Sequence, residues 1–256
     1  MSNATGRLGS IVIAAATAVG IVALVLPLFL NPAWVGFEQG RARAAAWTGF
    51  AESDLRDATD AMLGDLIVGP PDFDVTVGGE PVLNPREQSH MRDVRVVFMG
   101  FFGLAIGLAL AAGAIAARRR GADRLRSWRA VQRGAGLLVA TLLAGGIVAV
   151  VAFETMFEVF HQLFFAGGSY TFDPATERLV QLFPFAFWQE SAIAVGAVCI
   201  VLAVVVALVA ERRLRGLGAV AALAPGDTEA TGSSSIARPV ASHDAGTPLG
   251  GGETSR

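Results

Sequence analysis

Pro85-Arg86-Glu87-Gln88-Ser89-His90-Met91-Arg92-Asp93-Val94-Arg95 is a charged stretch that runs directly into Val96–Ala117, where no side chain carries a charge. A helix rises about 1.5 Å per residue, so the apolar run covers a hydrocarbon core of roughly 30 Å. The charged stretch then reads as a polar lead-in at the membrane surface. Three more apolar runs lie around it, at about 8–30, 134–153 and 187–210. The first and third are uncharged, and the last carries only Glu190, near its start. Over all 256 residues, 53% are apolar and 16% charged, against about 25% charged in soluble domains. The composition therefore excludes an ordinary soluble domain. It predicts an all-α membrane protein with four transmembrane helices and with outer loops at 31–95 and 154–186. Residues 1–215 form the membrane domain. The Gly-, Ser-, Thr- and Pro-rich residues 216–256 form a disordered tail, being too poor in apolar side chains to bury a core.

The first run follows Arg7, as a signal peptide would. Signal peptide apolar cores run about 7–15 residues, and this one is longer, which predicts an uncleaved helix. Glycine recurs in the spans. Gly134, Gly136, Gly145 and Gly146 in the third are candidates for close helix approach.

Arginine sets the expected orientation, since every basic residue is arginine and lysine is absent. Arg118, Arg119, Arg120, Arg124, Arg126, Arg129 and Arg133 crowd the connection between spans two and three, against Asp123 alone. Glu211-Arg212-Arg213-Leu214-Arg215 follows span four. Both segments are expected in the cytoplasm, which puts both termini there and both long loops outside. The arginine cluster is explained by topology and anionic inner-leaflet lipid, and no nucleic-acid partner is expected. The lone Cys199 excludes an intramolecular disulfide.

The first outer loop is long enough to fold. Residues 45–67 read as an amphipathic helix. Trp47, Phe50, Leu55, Ala58, Met62 and Leu66 fall near one face, and Gly69-Pro70-Pro71 stops it. Phe73–Val77 alternates, Gly78-Gly79 turns, and Glu80–Leu83 returns as a hairpin. This set is expected to form an extracytoplasmic cap. Its helix is expected to cover the bundle, to lie in the outer headgroup layer beside a lipid site, or both.

His90, His161 and His243 are the only histidines, and His243 lies in the tail. His90 and His161 fall at similar depth at the outer end, which makes them a candidate catalytic pair. Glu87, Asp93 and Glu158 stand at helical spacing to orient an imidazole, and Arg92 and Tyr170 are candidates to assist an oxyanion. The same residues admit a second reading. Glu87-x-x-His90 and Glu158-x-x-His161, with Glu38 and Glu190, match the pattern of a dimetal carboxylate site. Such sites lie deep in a bundle, whereas these residues crowd the rim, so no metal and no cofactor is expected. A third reading is non-enzymatic, a small transporter or sensor. Span interiors without charge and without an inverted repeat speak against transport.

Three segments carry a resemblance: Arg86–Val94 around His90, Phe157–Phe165 around His161, and Tyr170–Pro174 followed by Leu182–Trp188. In these the chain resembles the lipoprotein intramolecular transacylase (Lit) family of bacterial membrane proteins, over about residues 8–210. The resemblance implies a multi-pass protein of the bacterial cytoplasmic membrane, with its site facing the outer leaflet. It implies an acyltransferase acting on diacylglyceryl-modified lipoproteins among membrane lipid. The sn-2 acyl chain moves onto the lipoprotein's own N-terminal cysteine amine, giving the lyso-form, and His90 and His161 align with the family's two histidines.

Overall fold

The computed structural model describes residues 3–165 and 169–223. Four of its helices are long and apolar enough to cross a membrane. They are α1 (Asn3–Val25), α5 (Pro85–Arg118), α6 (Ala122–Val151) and α9 (Phe185–Leu223). α6 packs along α9, and α1 lies against both α5 and α6. Small and aliphatic side chains fill the seam: Ile21 and Val25 from α1, Ala135 and Leu138 from α6, Cys199 and Ala203 from α9. The outer faces carry Leu104, Ile106, Leu110, Leu143, Ile147 and Leu208, each more than half exposed. So much apolar surface is stable only where lipid covers it.

The remaining elements gather at one end of the bundle. They are α2 (Pro32–Arg41), α3 (Ala44–Thr48), α4 (Glu52–Ile67), the hairpin β1 (Thr76–Val77) and β2 (Glu80–Pro81), α7 (Phe153–Phe164) and α8 (Arg178–Leu182). Leu55, Ala58, Met62 and Leu66 of α4 bury against Phe73, Val75, Val82 and Leu83 of the hairpin arm. Met91 of α5 and Leu182 of α8 close the cluster. The apolar face of α4 is thus covered by protein rather than by headgroups. The hairpin turns at Gly78-Gly79, with φ of 61° and 85°, the left-handed pair that a tight two-residue turn requires.

Several boundaries differ from those read in the sequence, each for a local reason. Residues 85–95 are not a lead-in; they are the first three turns of α5. The Asn84 side chain accepts from the Arg86 and Glu87 N–H groups, and Glu87 reaches back to the Asn84 N–H, a capping box with Pro85 at the first helical position. α6 likewise starts at Ala122, so most of the arginine-rich connection is helical and only Arg119-Arg120-Gly121 links the two spans. Residues 45–67 are two helices, broken where Gly49 caps α3 at φ 71°, and Trp47 faces outward at 54% exposure. α7 is separate from α6, interrupted at Ala152 (φ −146°, ψ 39°). α9 continues beyond residue 210 and past the expected start of the tail at 216; residues 224–256, with His243, lie outside the described residues.

Of the four glycines singled out in span three, Gly134 alone marks a close approach. A Cβ there would press into the backbone of Ala14 on α1, whereas Gly136, Gly145 and Gly146 have open space. Gly134→Ala is therefore expected to destabilise the bundle by about 1–3 kcal/mol by forcing α1 from α6. Gly136→Ala adds helix propensity without a clash and should leave the protein as stable or slightly more so. Thermal unfolding of the two variants in detergent checks the contrast.

Candidate functional site

His90 stands in the second turn of α5, where the capping box has already fixed the helix axis. His161 stands in the last turn of α7. The two segments are 71 positions apart in sequence, yet the imidazoles stack, with ring centroids 6.1 Å apart and an interplanar angle of 22°. Both are buried, at 5% and 9% exposure. Aromatic rings wall them in. Phe165 lies 4.8 Å from His90 and 5.4 Å from His161, Phe172 5.4 Å from His90, and Phe157 4.0 Å from His161.

The two imidazoles differ in their hydrogen bonds. His161 Nδ1 is 2.7 Å from the Phe157 carbonyl, which can only accept. Nδ1 therefore carries the proton, and in the neutral ring Nε2 presents a lone pair. Burial pushes the His161 pKa down, against the pull of that backbone bond and of Glu158, so the ring favours the neutral form. His90 Nδ1 is buried without a hydrogen-bond partner among the described residues. An unpaired buried nitrogen costs about 1–3 kcal/mol, a cost that a ligand can remove.

The candidate orienting groups separate into those near the rings and those engaged elsewhere. Glu87 is 1% exposed and does not orient an imidazole. It accepts from the Asn84 N–H at 2.7 Å and from the Leu179 N–H at 2.6 Å. Arg92 points the other way, toward the Asp72 carbonyl at 3.4 Å. Asp93 is exposed and makes no hydrogen bond to either ring among the described residues, but its charge acts on His90, pulling up a pKa that burial and then His161 push down to about 4. Glu158 and Tyr170 do lie beside His161. The Tyr170 ring lies 5.0 Å from the His161 ring, and its hydroxyl donates to Glu158 at 3.0 Å. Burial, then that bond, raise the Tyr170 pKa, so the phenol keeps its proton.

Two residues without an assigned role in the sequence reading complete the enclosure. Arg86 pairs with Glu177 at 2.7 Å, donates to the Thr171 carbonyl at 2.8 Å, and lies over the Phe172 ring at 4.8 Å. Partial burial works against ionisation of Glu177, but bonds from Arg86, the Asp173 N–H and Asn84 hold its carboxyl below the usual range. This ion pair draws the segment after Ser169 over His90. Arg86 was findable, since it lies four residues before His90 and so on the same helix face. Glu177 had no local signal.

Glu38 and Glu190 do not join the histidines. Both face Arg41, Glu190 at 2.6 Å and Glu38 at 3.7 Å, and tie α2 to α9. Burial, then Glu190, raise the Glu38 pKa. The two Glu-x-x-His elements bring their imidazoles together, but the Glu87 carboxylate is spent as a cap. Among the described residues, no three His, Cys, Asp or Glu gather as metal ligands would.

A family model described as lipoprotein intramolecular transacylase Lit matches residues 12–188, a span that includes both histidines. No curated protein matches the sequence. Among solved structures, the in meso structure of the membrane integral lipoprotein intramolecular transacylase Lit from Bacillus cereus superposes with a TM-score of 0.67. The identity is 18%, over 86% of this chain and 99% of that one. Two forms of the same Bacillus cereus protein, one histidine replaced by arginine or by alanine, give TM-scores of 0.60 at 15% identity. They cover 86% and 85% of this chain and 95% and 96% of theirs. At such identities the likeness is one of fold.

The assignment of Glu87 as a structural tie has a measurable consequence. Glu87→Ala leaves two N–H groups without acceptors and should cost about 2–4 kcal/mol, read as a lower unfolding midpoint in detergent. For His161, the depressed pKa means the neutral ring persists to lower pH. Its reaction with diethyl pyrocarbonate, which needs the neutral imidazole, should show a midpoint below the usual 6.5 or so.

Proposed function

The chain belongs to the lipoprotein intramolecular transacylase (Lit) family of membrane acyltransferases, and from that premise we propose that it moves the sn-2 acyl chain of a diacylglyceryl lipoprotein onto that lipoprotein's own N-terminal cysteine amine. The observation that carries the mechanism is the bond between His161 Nδ1 and the Phe157 carbonyl. It leaves Nε2 as the unprotonated atom of a buried neutral ring, the form a general base needs. His161 takes a proton from the attacking amine, and the amine nitrogen bonds to the ester carbonyl carbon. The tetrahedral intermediate collapses with cleavage of the ester C–O bond, and the glycerol oxygen leaves with the proton that His161 took from the amine. His90, stacked on His161 and kept neutral by burial and by that neighbour, donates its N–H to the oxyanion of the intermediate. An amide and a free sn-2 hydroxyl result, and no water is consumed.

The reaction asks little else of the protein. Amine and ester belong to one molecule, so holding them together supplies much of the acceleration, and no enzyme nucleophile is required. The phenylalanine walls exclude water, which would otherwise hydrolyse the ester. Glu158, bonded by Tyr170 and one turn before His161, is the anion positioned to receive the substrate's α-ammonium before it loses its proton. The arginine bias supports an arrangement with both termini in the cytoplasm and the histidine end at the outer leaflet.

Mass spectrometry of lipoprotein N-termini in a host expressing this chain tests the reading. N-acylated, S-monoacylglyceryl cysteine is expected. Free amines with intact diacylglyceryl groups, despite good expression, would sink it. His90→Ala and His161→Ala should each reduce conversion by at least about 100-fold while the protein remains in the membrane.

A further inference from the structure

At the end of the bundle opposite the histidines, α5 and α6 both pack on α1 and leave a groove between them. Its volume is about 420 Å³. Along α5 it is lined by Ala112, Gly113 and Ala116, side chains too small to fill it. Arg124 and Trp128 of α6 form its rim. The Arg124 guanidinium has no hydrogen bond or ion pair among the described residues, although Asp123 is adjacent in sequence; Asp123 pairs with Arg126 at 3.1 Å.

Behind the rim lies a second, buried cation. Arg119 is 6% exposed, and its guanidinium is held by neutral acceptors only: the Gly6 carbonyl at 3.0 Å, Ser127 Oγ at 3.3 Å and Ser10 Oγ at 3.4 Å. Ser127 also lines the groove. Gly9 makes room for this side chain, since a Cβ there would sit 2.6 Å from Arg119 Nη2. No carboxylate pairs with Arg119 among the described residues, so its charge is desolvated without a counterion. A buried charge in that state favours a nearby anion strongly.

We infer that this groove binds an anionic phospholipid, with its phosphate at Arg124 in the field of Arg119 and one acyl chain laid over Gly113 and Ala116. The chemistry is that of a lipid phosphodiester: a cationic, serine- and tryptophan-bearing mouth above an apolar trough that opens to the bilayer. The site is separate from the catalytic pair. From His90 to Ala112 is roughly 33 Å along one helix, about the thickness of the hydrocarbon core, so the bound lipid belongs to the other leaflet. It is therefore a structural or regulatory lipid rather than the substrate, and the inference does not depend on the transacylase reading.

Native mass spectrometry of the detergent-purified full chain, titrated with phosphatidylglycerol or with phosphatidylcholine of the same chain lengths, tests it. Preferential retention of phosphatidylglycerol is expected. Arg124→Gln should weaken that retention by about fivefold, and Gly113→Phe should abolish it by filling the trough. Arg212→Gln, on an exposed arginine of α9, should change it less than about twofold. Equal retention of both lipids would overturn the inference. So would equal losses in the Arg124 and Arg212 variants, or undiminished binding by the Gly113 variant. Competition by millimolar inorganic phosphate would reduce the site to a simple anion site and overturn the lipid assignment.

Discussion

A single buried carboxylate joins the parts on which the site depends. Glu87 accepts from the Asn84 N–H, which sets the first turn of α5, and from the Leu179 N–H, which sets the first turn of α8. One side chain thus fixes two segments 92 positions apart. His90 stands one turn beyond it on α5, and the strand of residues between Ser169 and Glu177 must pass over His90 to reach α8. Arg86 and Glu177 tighten the same junction from the outside. The ion pair alone would contribute little, because Arg86 reaches solvent and such pairs are screened. Its effect is geometric: it holds Phe172 against the imidazole.

The site also follows from what burial does to histidine. Two imidazoles stacked at 6.1 Å repel if both are charged, and burial disfavours either charge. The pair is therefore stable as neutral rings, one of them locked in a single tautomer by a backbone carbonyl. This arrangement suits a reaction in which a proton is taken and returned within one molecule of substrate.

Hydrophobic runs made the four spans legible, because a bilayer imposes length and composition on any helix that crosses it. The Gly78-Gly79 turn and the halt at Gly69-Pro70-Pro71 were legible for local steric reasons. Pairing His90 with His161 needed only their scarcity and similar depth. What was hidden depends on contacts between distant segments. The role of Glu87 is invisible without Leu179, and that of Arg86 without Glu177. The true start of α5 was written in Asn84-Pro85-Arg86-Glu87, a capping sequence masked by its many charges. The break at Gly49 was written in the glycine itself, which takes the left-handed cap, whereas the separation of α7 at Ala152 has no comparable signal in composition.

Because α5 is one unbroken helix of 34 residues, about 51 Å long, it exceeds the hydrocarbon core by several turns. Its excess lies mostly at the histidine end, where the first three turns are polar. The depth of the imidazoles is then set by how that rod sits in the bilayer. A thicker membrane draws the histidines toward the acyl chains and a thinner one lifts them toward the headgroups, by tilt or displacement at a cost of fractions of a kcal/mol per Å. Bilayer thickness thus becomes a mechanical setting on the depth of the histidine pair.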